Sequence, residues 1–345
     1  LLRVLRSRVM RSDNYQLSDT SSGLVGTTFS DTSYGPQESL WRLAEAARTY
    51  ASSSRAKNTW RAYQADWRGF TTWCHELSLN PLPATPETVT LYVVYLAHQG
   101  RKVSTIMRSL ATISERHRTG GQASPTSNPV VRETLRGIRR RLGTRQAQKL
   151  PLLSEQLRAL VAALPDDLSG ARDRAILLVG FAMAARRSEL VAVDVTDVEF
   201  TTEGAVVEIR RSKTDQDGAG RRLGIPHGSS PETCPVRALR DWISTAGITS
   251  GPVFRPIDRW GRISSERLTD RAVARIIQRY VSKVGLDPRA YGGHSLRSGL
   301  ATSAARAGRS ERSIMAATGH RSPEMVRRYI RQGSLFQDNA AAGLL

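Results

Sequence analysis

Two arginines (Arg186, Arg297), two histidines (His294, His320), one lysine (Lys213) and one tyrosine (Tyr329) have the types and settings to do chemistry together. Arg186 follows the apolar run "AILLVGFAMAA", residues 175–185, and is expected to end a buried helix partly desolvated. Glu189, three residues on, would share its face and orient it. Lys213 lies in "RRSKTDQ" at the edge of a hairpin. "GGHSLRSG" sets His294 and Arg297 at i and i+3, so that both can reach one anion from a helix opened by glycines. His320 follows Gly319 near a helix start, and Tyr329 stands among Arg327, Arg328 and Arg331, where a phenol is poor core material.

Each motif alone has a bland reading: a helix-terminal arginine, a surface lysine, a surface His/Arg pair. As a set they are what metal-free attack on a phosphodiester needs. A guanidinium grips two phosphate oxygens at once and never loses its charge. Two such forks would stabilise the charge that builds on the non-bridging oxygens. A phenol with a reference pKa of about 10 is a poor nucleophile at neutral pH. Neighbouring cations and a histidine would favour its phenolate. A lysine can protonate the departing sugar oxygen.

The elements that must position these groups fall into two parts. Residues 1–36 are an Arg-rich, then Ser/Thr/Gly-rich stretch, expected to be a flexible leader rather than a transit peptide. Residues 37–142 read as a small all-helical domain. Its helix at 57–78 carries the stripe Trp60, Tyr63, Trp67, Phe70, Cys74, Leu77, taken as core rather than as a base-stacking platform. Thr85-Pro86 and Asn128-Pro129 open two more helices, and Gly100 and Gly120 close two. Residues 143–151 read as a basic linker. It ends a one-sided run (Arg132, Arg136, Arg139, Arg140, Arg141, Arg145, Lys149) that suits a strap along phosphates. Residues 152–332 read as a mixed domain with helices at 154–164, 171–191, 234–246, 268–285, 294–307, 310–318 and 322–332. "VTDVEF", "AVVEIRRSK" and "GRRLGIP" form its small sheet. The fold class expected is mainly α with a small antiparallel sheet in the second domain.

Composition narrows the partner. Of 345 residues, 51 are Lys or Arg and 31 Asp or Glu, a net charge of +20. Such a balance marks a partner that is a polyanion. No apolar run is long enough to cross a bilayer, and no basic interfacial helix stands out, so nucleic acid is favoured over a membrane. Two cysteines and six unclustered histidines make neither a disulfide framework nor a zinc site. A reducing, cytoplasmic setting is expected, with no cofactor and no metal. The close acid pairs Asp194/Asp197 and Asp215/Asp217 read as turn and loop residues, too few for a two-metal nuclease.

In order and spacing, Arg186-Arg187-Ser188-Glu189-Leu190, Lys213, His294-Ser295-Leu296-Arg297, Gly319-His320 and Tyr329 resemble the tyrosine recombinase (phage integrase) family. The resemblance spans residues 37–332, and the helical first domain and "ARAG" are similar to its Cre-like branch. It implies a C-shaped clamp of a core DNA-binding domain and a catalytic domain. By resemblance, Arg186 and Arg297 bind the phosphate, His294 accepts a proton and Lys213 is the general acid. His320 supports the phosphate, Tyr329 forms a 3′-phosphotyrosyl link, and Glu189 buttresses the site. The family further implies site-specific recombination through a Holliday junction, without ATP or metal, by four protomers on an inverted-repeat duplex site. The tail 333–345, with Leu335, Phe336, Leu344 and Leu345, is expected to dock on a neighbouring protomer.

Two helices are expected to read grooves. One is 268–285, with Arg271, Arg275, Arg279 and Lys283 opposite its apolar face. The other is 103–118, with Arg108 and the stripe Lys102, Thr105, Ser109, Thr112, Arg116 turned away from its apolar face. A type IB topoisomerase and a non-catalytic DNA-binding relative are the alternatives.

Overall fold

The computed structural model describes residues 36–53, 57–144, 148–210, 220–320 and 322–333. The chain divides between residues 146 and 147 into two compact units.

The described part of the first unit is helical throughout: α1 (Pro36–Ser53), α2 (Lys57–Glu76), α3 (Pro86–His98), α4 (Val103–Thr119) and α5 (Pro129–Leu142). The caps are those the residue types favour. Thr85 Oγ1 accepts from Thr88 N (3.2 Å) ahead of Pro86, and Asn128 Oδ1 accepts from Val130 N (2.9 Å) ahead of Pro129. The core is Phe70, Trp73, Cys74, Val89, Tyr92, Val93, Ile106, Ile113 and Val131. Phe70 and Tyr92 meet edge-on at 4.9 Å. His117 is fully buried: its Nε2 accepts from Ala84 N (2.9 Å) and its Nδ1 donates to Ile113 O (2.8 Å), which ties the 80–84 turn to α4.

Two expectations for this unit change. The aromatic stripe is core only at Phe70 and Cys74. Trp67 packs at the edge, and Leu77 lies beyond the end of α2 and is exposed. On α4, Ser109 and Thr112 are buried rather than turned to solvent. Arg108 binds Asp66 of α2 through Nε (2.7 Å) and Nη2 (3.0 Å), and Arg116 lies over Trp67 at 5.6 Å. Residues 108, 112 and 116 therefore form the i, i+4 stripe that faces α2, with the small Thr112 between two arginines that bind it.

The second unit is built around α7 (Leu168–Ala182), whose residues 175–179 are all buried. Around it stand α6 (Ser154–Ala162), α8 (Arg187–Ala192), α9 (Pro235–Thr245), α10 (Asp270–Lys283), α11 (Ser295–Arg306), α12 (Glu311–Thr318) and α13 (Pro323–Gly333). A three-stranded antiparallel sheet in the order β1 (Val198–Phe200), β2 (Gly204–Ile209), β3 (Arg221–Pro226) pairs Val198 with Val207 and Val207 with Leu223. Trp242, fully buried, donates Nε1–H to Val253 O at 2.8 Å. Asp173 is fully buried between α7 and α10. It accepts from Arg172 Nε (2.9 Å) and from the Tyr280 hydroxyl (3.0 Å), so the buried charge is paired. Burial pushes the Tyr280 phenol up to about 12.

The single helix expected over 171–191 is two. α7 ends at Ala182, Ala184 takes a left-handed φ of 45°, and α8 starts at Arg187. The apolar run hides this break, since its one glycine, Gly180, lies inside α7 and no proline follows. Residues 195–197 form a 3₁₀ turn, so only 198–200 of "VTDVEF" is strand. Among the described residues no helix is long and apolar enough to cross a membrane.

Candidate active site

Four short segments of the second unit meet, and each is held by an identifiable local cause. The first is the break after α7. A non-glycine residue at φ 45° carries a strain of about 1–2 kcal/mol. A long-range contact holds it in place: the Ala184 carbonyl accepts from Arg297 Nη1 at 2.8 Å. Arg186 is then the N-cap of α8, not the end of α7. Glu189 Oε2 accepts from Arg186 N (3.0 Å), and Glu189 Oε1 accepts from Arg186 Nη1. One buried carboxylate thus caps the helix and aims the guanidinium.

The second segment is the start of α11. Ser295 Oγ accepts from Gly292 N at 3.0 Å, and His294 is the N-cap. Gly180 of α7 lets α11 come close, because a Cβ there would sit 2.9 Å from Leu296 Cδ1. Arg297 is 0% exposed. Burial, then the neighbouring Arg186 charge, pull its pKa down to about 10, so it stays charged at neutral pH. Its Nε is buried and has no hydrogen-bond partner.

The third segment is the turn after α12. Gly319 closes that helix at φ 63°, the left-handed cap that glycine favours. His320 comes next, and its Nε2 lies 3.1 Å from Arg297 Nη2. An arginine only donates, so Nε2 must accept and the proton must sit on Nδ1. Nδ1 in turn donates to Thr318 Oγ1 (2.8 Å), whose own hydroxyl donates to Ile314 O (2.7 Å). Burial and the Arg297 charge push the His320 imidazolium down to about 4, which agrees with a neutral ring.

The fourth segment is α13. Its apolar side, Val326 and Tyr329, packs on Ala301, Ala305 and Ile314 of α11 and α12. Arg327, Arg328 and Arg331 point outward, and Arg327 Nε binds Glu311 Oε2 at 3.1 Å. Tyr329 is therefore core material after all, 6% exposed. The cations in its sequence neighbourhood flank the helix rather than the ring. Its hydroxyl lies 3.0 Å from His294 Nε2, and its ring centroid 5.9 Å from that of His320.

The structure thus brings Arg186, Glu189, His294, Arg297, His320 and Tyr329 together. Lys213 lies outside the described residues, as do Arg145, Asp215, Asp217, the leader through residue 35 and the tail from residue 334. The Tyr329 phenol differs from expectation in one respect. Arg297, Arg328 and Arg186 pull its pKa down, but burial outweighs them and raises it. At rest the phenol is neutral, and among the described residues its hydroxyl pairs with His294 Nε2.

The other residues singled out from sequence are scattered. Arg271, Arg275, Arg279 and Lys283 are exposed along α10, with Arg279 Nη1 3.9 Å from Asp173 and Lys283 over the Tyr280 ring at 5.2 Å. Arg139, Arg140 and Arg141 are exposed on the last turn of α5. Lys149 of the basic stretch donates Nζ to Arg289 O. Asp194 and Asp197 bind arginines: Arg267 Nη2 lies 2.6 Å from Asp194 Oδ1, and Arg210 Nη2 2.5 Å from Asp197 Oδ1.

Sequence reasoning missed two residues at the site. Thr318 fixes the His320 tautomer, and nothing in the sequence flags it. Arg221 reaches the cluster from β3, and for that one a signal exists. Period-two alternation puts Arg221 on the inward face with Leu223 and Ile225.

A model of the phage integrase family matches residues 151–334. The chain is 42% identical over 303 residues to the integrase/recombinase xerD homolog of Selenomonas ruminantium, covering 87% of this chain and 89% of that protein. It is 28% identical over 296 residues to the recombinase cre of Escherichia phage P1, covering 80% and 84% respectively. Among solved structures it resembles the Tn1549 transposon integrase in complex with transposon right end DNA. The TM-score is 0.60 at 16% identity, over 82% of this chain and 92% of that one.

Proposed function

The chain belongs to the phage integrase (tyrosine recombinase) family and is a site-specific DNA recombinase of the tyrosine mechanism, and we propose that Tyr329 is its nucleophile. The single observation that carries this reading is the 3.0 Å contact between the Tyr329 hydroxyl and His294 Nε2, beside two guanidiniums.

In the step we propose, the phenol oxygen attacks the scissile phosphorus as His294 Nε2 takes the phenol proton. The bond from phosphorus to the 5′-oxygen breaks, and a 3′-phosphotyrosyl link forms. The departing 5′-oxygen takes a proton from Lys213, a role that rests on the family pattern alone. Arg186 and Arg297 hold the non-bridging oxygens. Glu189 orients Arg186, and His320 acts on the phosphate through Arg297. The phosphodiester energy is kept in the protein–DNA link, so the step balances without a nucleotide or a metal. A 5′-hydroxyl from a second duplex reverses it, and two rounds of exchange pass through a Holliday junction.

The partner is double-stranded DNA carrying a specific inverted-repeat site, bound by four protomers. Residues 37–142 form the core-binding domain, with Arg139, Arg140 and Arg141 on phosphates or bases. Residues 143–151 form the linker. In the catalytic domain, 152–332, Arg271, Arg275, Arg279 and Lys283 line a groove. The tail 333–345 docks on the next protomer, and the enzyme works in the cytoplasm, where its DNA is. A suicide duplex carrying the site, run on a denaturing gel, tests the chemistry. Wild type is expected to give a covalent adduct that Tyr329→Phe lacks while still binding the duplex. Equal cleavage by the two proteins would remove Tyr329 from the mechanism.

A further inference from the structure

Arg221 is the one guanidinium that reaches the candidate site from the sheet, among the described residues. It opens β3 on the inward face, with 22% of its side chain exposed. Its Nη1 donates to Ala317 O at 3.3 Å, in the last turn of α12 and immediately before Thr318. Its Nη2 lies 3.6 Å from Glu189 Oε2, the oxygen that also accepts from Arg186 N. That Nη2 is buried and makes no hydrogen bond. The guanidinium is pressed against Gly319: a Cβ there would sit 2.4 Å from Arg221 Nη1. The site thus divides into an Arg186–Glu189 half and a His320–Thr318 half, and Arg221 touches both.

We propose that Arg221 is a positioning residue for strand cleavage, joining the Glu189 carboxylate that aims Arg186 to the Ala317–Gly319 turn that aims His320. This role presupposes the recombinase chemistry proposed above. The physical case is one of geometry and charge. Glu189 is a buried acid that directs a cation, and a second cation at 3.6 Å pins its carboxylate between the two. Through its bond to Ala317 O, Arg221 ties the turn that carries His320 to the sheet. Gly319 supplies both the left-handed backbone and the open space the guanidinium needs. Arg221 itself would touch neither the phosphate nor the phenol. It acts through Arg186 and His320.

The test compares full-length wild type, Arg221→Ala, Arg221→Lys and Tyr329→Phe on the same suicide duplex. Three readings are taken: the single-turnover cleavage rate, the Kd for the duplex, and the melting temperature. For Arg221→Ala we expect cleavage roughly 10- to 100-fold slower, the size of effect that a small misplacement of reacting groups produces. The Kd should stay within about twofold of wild type, because no phosphate contact is lost. Arg221→Lys should recover part of the rate, since it keeps the charge near Glu189 but not the fork that also reaches Ala317. Should Arg221→Ala fail to fold, Arg221→Gln carries the same test, as it keeps a donor for Ala317 O and loses the charge. A wild-type rate in Arg221→Ala, or in Arg221→Gln where it stands in, or a Kd that weakens in step with the rate, would overturn the positioning role. No adduct from wild type itself would instead overturn the recombinase chemistry on which it stands.

Discussion

The Tyr329 hydroxyl lies 3.0 Å from Nε2 of His294, a residue 35 positions earlier and on a different helix. The contact gives a neutral, buried phenol a base within hydrogen-bond reach. It also explains why a chain would bury a tyrosine among arginines: the ring packs with Val326 and Ile314, and the hydroxyl meets His294. Replacing His294 by Ala is expected to slow covalent adduct formation by about 10²- to 10⁴-fold, the usual contribution of a positioned base. Single-turnover cleavage of a suicide duplex measures it, with duplex Kd as the control.

Arg297 contributes a fork and not only a charge. One arm holds Ala184 O and the other meets His320 Nε2. Arg297→Lys keeps the charge and loses one of these partners. Cleavage should fall by about 10²- to 10³-fold, as when one preorganised donor is removed from a transition-state site. A Lys variant cleaving at the wild-type rate would mean that charge alone suffices.

The His320 tautomer depends on Thr318. Thr318→Val keeps the shape and removes the oxygen that accepts from Nδ1. Losing one such hydrogen bond is expected to slow cleavage about tenfold, and Thr318→Ser should restore most of it. Rates for the Val and Ser variants side by side separate loss of the hydroxyl from loss of packing.

Stability should track the His320 ring. Its folded pKa is lowered to about 4, so the unfolded chain takes up the proton first. Stability is therefore lost as pH falls from about 6.5 toward 4, and is unaffected by this group above that window. His320→Gln should show a flatter melting temperature across this pH window than wild type. Parallel pH curves for the two proteins would show that the ring is not buried neutral.

The tail can be tested by removal. A chain ending after Gly333 should keep suicide-duplex cleavage, since every residue given a role in the proposed cleavage step precedes the tail. It should lose higher-order assembly and strand exchange on paired sites. Normal assembly in native gels would free the tail of any docking role.

The helical first unit, the small antiparallel sheet and the four motifs around Arg186, His294, His320 and Tyr329 were all legible in the sequence. Helix periodicity, Thr-Pro and Asn-Pro starts and glycine ends are local signals, and they depend on neighbours within one turn. What the sequence could not show is set by packing between distant elements. The break at Ala184 is held by a carbonyl contact from Arg297, more than a hundred positions away. Thr112 looks like a solvent residue until Arg108 and Arg116, one turn to either side, are seen to bind Asp66 and Trp67 of another helix. Tyr329 reads as exposed because composition counts its charged neighbours, whereas a helix turns them to the opposite side. The residue types alone determined the chemistry available to this protein, because only a few side chains can attack or stabilise a phosphodiester. Its tertiary structure decided which charges act on which atoms: desolvation keeps the Tyr329 phenol neutral despite three arginines, and Arg221 enters the cluster from a strand.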